Sequence, residues 1–192
     1  MTSQHNKISS MLLYLTVAIV LFSCDTFQTG QQLYKSGLDH FKSADHGDYH
    51  DHEGLSKAIL DFEKSIGKGF RARDVFEKLS RSYLLLNGDN QNAERVYTLG
   101  LQTFPDDIEF YFRRGNCRKV LRKHKLAYDD FNQVIIRDTT RKYEYLNDAF
   151  YERGAMRYIL GDTVNADKDR EFAKSITDHE LRTYQDYCQL WK

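Results

Sequence analysis

Proline is nearly missing from this 192-residue chain; Pro105 is the only one. An interior proline removes a backbone donor and breaks a helix, so its scarcity leaves helices open nearly everywhere except at Phe104-Pro105. Cysteine is scarce as well, with Cys24, Cys117 and Cys188, too few for a disulfide-stapled small scaffold. An excess of one charge is absent, Lys plus Arg and Asp plus Glu being 28 each. Without a basic excess there is no electrostatic footprint for nucleic acid, and no such partner is expected. Alternating β-branched runs beside hairpin turns are missing, which speaks against sheet. The Gly-x-Ser-x-Gly elbow, the glycine-rich phosphate loop and the His-Glu-x-x-His helix are missing too. The chain therefore does not read as an enzyme, and neither catalytic residues nor a cofactor are expected. What remains is 41% hydrophobic, with 13 Tyr and 12 Phe, enough for one sizeable core in a single domain.

The N-terminus stands apart. Lys7 precedes an apolar run, Met11 to Phe22, and no acidic residue comes before Asp25. Such a run is short for a bilayer span and has the build of a secretory signal. Its end, Leu21-Phe22-Ser23-Cys24, resembles the lipobox of bacterial lipoproteins. Leucine, serine and cysteine match that pattern, whereas Phe22 is larger than the residue usual there. The resemblance implies a signal peptide over 1–23, cut before Cys24, and a diacylglycerol on the Cys24 thiol. Residues 24–30 then form the lipidated cysteine and a short tether, and the domain is held at a membrane of the bacterial envelope.

From Gln31 onward the apolar residues fall at helical spacing. Leu33, Tyr34, Gly37, Leu38 and Phe41 open one helix, and Leu55, Ala58, Phe62, Ser65 and Ile66 make a second. A third stripe runs through Phe76, Leu79, Tyr83 and Leu86 and stops at the turn Asn87-Gly88-Asp89. Ile108 to Asp138 reads as one complete helix–turn–helix unit. Tyr111, Gly115 and Val120 mark its first half, and Ala127, Phe131 and Val134 its second. Small residues let two antiparallel helices approach, and large aromatics fill the space beside them. Ala93 to Ala127 and Tyr97 to Phe131 are both 34 residues. The opening Tyr111 to Gly115 returns as Tyr151 to Gly154, followed by Ala166 and Ala173. Leu181, Tyr184, Cys188 and Trp191 share a stripe on a last helix, about Asp178 to Trp191.

A 34-residue period with this pattern resembles the tetratricopeptide repeat. The resemblance implies an all-α superhelix of about four helix pairs over 31–177, closed by a capping helix over 178–192. It departs from the pattern at an insertion within the first repeat. It departs again at Arg170, which stands where the third repeat has Phe131. The family's arrays bind proteins and peptides along a concave wall of first helices. Carried over, that wall holds Tyr34, Leu38 and Phe41, then Glu77, Arg81 and Leu84. Phe112, Asn116 and Lys119 follow, then Tyr151, Ala155 and Tyr158. Its mix of aromatics, bases and an amide suits an extended peptide or a helix. A protein–protein scaffold in the envelope is the function so implied, with an accessory ligand-binding subunit of an envelope enzyme as one alternative.

The insertion offers the other alternative. Asp45 to Glu53 holds His46, His50 and His52 among carboxylates, a composition that can ligate a divalent metal. A solvated polar loop has the same composition. His124 reads as an exposed turn residue, and adjacent Asp129 and Asp130 as part of a solvated helix face. Cys117 and Cys188 fall in apolar stripes, where thiols behave as small apolar groups.

Overall fold

A computed structural model describes residues 28–47, 49–177 and 180–191 of the chain. The signal-like run and Cys24 lie outside the described residues. Helices α1 (Gly30–Ala44) and α2 (His52–Gly67) form a first pair, and α3 (Arg73–Asn87) and α4 (Asn90–Thr103) a second. The third pair is α5 (Ile108–Val120) with α6 (His124–Arg137), and the fourth is α7 (Leu146–Ile159) with α8 (Thr163–Ser175). Among the described residues there is no strand, and no helix is long and apolar enough to cross a membrane.

Local chemistry sets most of these boundaries. The first backbone donors of a helix have no partner within it, and short oxygen-bearing side chains supply one. Thr29 does so for α1 in a reciprocal capping box with Gln32, Asp51 for α2, Asp89 for α4, Asp107 for α5 and Asp162 for α8. Gly88 ends α3 in the left-handed region, with φ 62°, where a side chain would be strained.

Each helix packs on its neighbours in sequence, and α1 also touches α3. Two apolar clusters result. One runs through the first two pairs with Phe62, Phe76 and Phe110, and the other through the last two with Phe131 and Met156. Helix α5 belongs to both, giving Phe110 and Cys117 to the first and Phe112 to the second. Glycines set the closest approaches. A Cβ on Gly37 would lie 2.7 Å from the Phe62 ring, and one on Gly115 2.9 Å from Phe131.

The chain end differs from expectation. Instead of one helix over about 178–191, a single turn α9 (Tyr184–Tyr187) is followed by a 3-10 turn, Cys188–Trp191. It packs on α7. Tyr184 and Cys188 are buried but Leu181 is only half-buried, so no continuous stripe forms. Val120 is also not core, being 46% exposed at the end of α5.

Candidate partner-binding wall

Beneath the wall, a repeated polar clamp ties the third and fourth pairs together. Asp130 on α6 receives Arg114 through both oxygens, at 2.7 and 3.0 Å, and Arg118 at 2.8 Å. Thirty-nine residues on, Asp169 receives Arg153 at 2.6 and 3.0 Å and Arg157 at 2.7 Å. The first arginine of each clamp also crosses to the preceding pair, Arg114 to Thr98 at 3.3 Å and Arg153 to Asn132 at 2.7 Å. Asp130 is 2% exposed and Asp169 4%, so the reading of Asp130 as part of a solvated face is corrected. Adjacent acids look alike in sequence, but Asp129 lies outward and Asp130 inward, where burial raises its carboxyl pKa and two guanidiniums offset only part of that cost.

The first pair carries a version without arginine. Ser36 donates to Asp61 at 2.7 Å and His40 Nδ1 lies 3.1 Å from the same oxygen. Serine, histidine and aspartate together suggest a nucleophile, but the hydroxyl proton here goes to the carboxylate and not to the imidazole. The general-base arrangement is therefore not formed. Cys117 is no better placed: burial pushes its thiol up to about 12, leaving no thiolate at neutral pH. His124 begins α6 half-buried, and desolvation and Arg122 lower its pKa.

The wall positions fall into two groups. In the first two repeats only Arg81 stays open, while Phe41 is buried at 6% and Tyr34, Leu38, Glu77 and Leu84 are half-buried. Phe41 lies under Lys78 and Arg81, at 5.8 and 5.7 Å from its ring centre. Arg81, with its side chain 52% exposed, reaches Asp45 at 2.7 Å. Tyr34 stacks on Phe70 at 4.8 Å and donates its hydroxyl to Asp74. Glu77 takes Arg73 and Lys78, while Leu38 and Leu84 pack against the core.

In the last two repeats the chain covers its own wall. Phe112 is buried, stacked on Tyr145 at 5.3 Å with Tyr143 at 6.0 Å. The longer linker before α7 brings those two tyrosines over it. Lys119 is also buried, its ammonium on Glu152 and on the Tyr187 hydroxyl at 3.0 Å. Neither side chain is presented to solvent as a regular array would have it, whereas Asn116 remains half-buried. Tyr151 and Tyr158 lie 5.1 and 6.1 Å from Tyr184, and Ala155 is fully buried.

The histidines of the insertion do not converge. The loop turns back through an Asp45–His50 bridge, and His50 lies 3.4 Å from Asp45 while His46 and His52 face solvent. Asp45 already holds Arg81. Among the described residues no group of three such ligands could hold a metal.

Paired helices joined by short turns, close glycines and a ladder of neighbour contacts define a tetratricopeptide-like α–α superhelix. The comparison with solved structures agrees. The crystal structure of YrrB, described as a TPR protein with an unusual peptide-binding site, matches with a TM-score of 0.63 and 21% identity over 92% of this chain and 82% of that one. A crystal structure of MamA matches at 0.60 and 12% over 84% and 81%. No family model and no curated protein matches the chain.

Proposed function

We propose that this protein is a binding scaffold that holds a protein or peptide partner on its first-helix wall, and that lipid on Cys24 keeps the wall at a membrane of the bacterial envelope. The observation that carries the reading is the exposed Arg81, which lies over the buried Phe41 ring. There an apolar ring floor, a base with half its side chain in solvent and flanking carboxylates lie side by side. Such a surface can hold the backbone or charges of a partner. YrrB, with its peptide-binding site, lends the likeness of fold. The anchor rests on the run Met11 to Phe22 and the ending Leu21 to Cys24. No chemical step is assigned to the wall, which presents binding groups and no nucleophile with its base.

The test is a pull-down from detergent-solubilised envelope with the full chain as bait. Changing Arg81→Ala and Asn116→Ala together should cut the captured partner at least about ten-fold, the weight of one or two interface anchors. A partner retained in full would put the binding surface elsewhere. For the anchor, Cys24→Ser should move the protein from the membrane to the soluble fraction and abolish incorporation of a labelled fatty acid. Continued labelling would sink that part.

A further inference from the structure

The fourth repeat lacks an aromatic of its own. Phe131 follows Asp130 in α6, but Arg170 follows Asp169 in α8 and turns to Glu171 at 3.4 Å. The space beside Gly154 is filled from the chain end instead. A Cβ on Gly154 would lie 2.7 Å from Tyr184 Cζ. Tyr184 is 3% exposed and donates its hydroxyl to the Tyr151 carbonyl at 2.9 Å. One turn on, Tyr187 donates to Glu152 at 2.6 Å and accepts from Lys119 at 3.0 Å. Cys188 Sγ reaches the Ala155 carbonyl at 3.7 Å, and the Tyr151 hydroxyl bonds the Arg182 carbonyl at 3.1 Å.

We propose that the fourth-repeat wall is a receptor for a peptide turn carrying tyrosines at positions i and i+3, and that Thr183–Cys188 occupies it in cis until such a partner displaces it. This deepens the scaffold reading and rests on it. The receptor groups all belong to α5 and α7: an aromatic-sized hole beside Gly154, the Tyr151 carbonyl, and the Lys119–Glu152 pair. The second tyrosine hydroxyl bonds to both members of this buried ion pair and meets part of their remaining valences, Glu152 Oε2 staying without a partner. Phenylalanine fills the hole but leaves those polar groups unmet, which selects tyrosine. The present occupant is short. Four helical residues have no stability of their own, and the described residues between Ser175 and Tyr184 are not helical. Release of the segment therefore breaks side-chain contacts and no other helix. Its tethering gives it a high effective concentration, so an outside peptide competes at a disadvantage unless the tail is weakened.

The probe is a fluorescently labelled peptide of residues Thr183–Gln189, added to the full chain. The variant Tyr184→Ala with Tyr187→Ala should bind it at least about ten-fold more tightly than the unchanged protein. Adding Glu152→Gln should weaken that binding at least about ten-fold. With the unchanged protein, excess peptide should speed hydrogen exchange at the amides of 184–188. A folded double variant that ignores the peptide, or equal affinity for both proteins, overturns the inference. If the double variant has no cooperative melt, hydrogen exchange on the unchanged chain decides. Amides of 184–188 should then exchange at least about ten-fold faster than those of α7 and faster again with peptide, and equal protection overturns it. Loss of an envelope partner with Arg81→Ala and Asn116→Ala, beside no peptide binding, removes this inference and leaves the scaffold.

Discussion

The third and fourth repeats are built to one plan and finished differently. Each has two arginines on its first helix, one buried aspartate on its second and a glycine next to the first arginine, all displaced by 39 residues. In the third repeat the ring against the glycine is Phe131, from the same pair of helices. In the fourth it is Tyr184, from beyond them. An interior repeat is enclosed by the next one, and its filler belongs inside. A terminal repeat has an open side, so the filler can come from that side and can bring hydroxyls with it. The second repeat shows that the charged clamp itself is optional, since Leu79, Tyr83 and Val96 stand at its three places.

The largest effect should come from the clamps. Asp130→Ala and Asp169→Ala each remove the shared carboxylate of two largely buried guanidiniums, and each should cost about 3–5 kcal/mol in chemical denaturation. Equal losses would sharpen the likeness of the two repeats, and a gap above about 2 kcal/mol would break it. Next come the fillers. Phe131→Ala should cost about 4 kcal/mol and lower the whole melting transition. Tyr184→Ala should cost about 3 kcal/mol, with faster hydrogen exchange confined to α7 and α8. Adding Arg170→Phe to Tyr184→Ala should restore about 1 kcal/mol if the hole is the one Phe131 fills in the third repeat. Recovery of nothing would show that the two holes differ.

Smaller still is Gly115→Ala. Its Cβ meets the Phe131 ring at 2.9 Å, and about 1–3 kcal/mol should be lost. In Gly154→Ala the Cβ meets both Tyr184 and, at 2.9 Å, the Asp169 Cβ, so the chain end and α8 must both shift and a similar loss should follow. The smallest effect is acid sensitivity. Burial raises the Asp138 carboxyl pKa, but the backbone N–H groups of Tyr143 and Lys142 and the Thr140 hydroxyl more than offset this, leaving it lowered. A lowered folded-state pKa gives stability that is present above about pH 4 and lost as pH falls through the folded value. Asp138→Asn should flatten that part of the pH profile, and an unchanged slope would assign it to other carboxylates. Glu94, lowered by Lys123 and Arg118 against the cost of burial, titrates in the same direction.

Much of the fold was legible because its signals are local. Apolar spacing, capping aspartates, the turn at Gly88 and the 34-residue intervals each bear on a few neighbouring residues. The wall was less legible. Phe112 and Lys119 sit at regular wall positions, yet the linker tyrosines and Tyr187 cover them, and no local rule says where a linker folds back. The clamp left a trace that went unused: arginines four apart, with an aspartate twelve and sixteen residues on, occur twice. The departure at Arg170 was visible, but its compensation by Tyr184 is a contact between distant segments.

That loan of a side chain also sets an order in time. Contacts in this array join sequence neighbours, so a chain emerging N-terminus first can complete its early pairs as they appear. The fourth pair lacks its filler until Tyr184 arrives, beyond the last paired helix. A chain cut short by ten residues would keep every paired helix and still have an unfinished end. The turn at 183–188 thus marks the point at which the fourth repeat is finished.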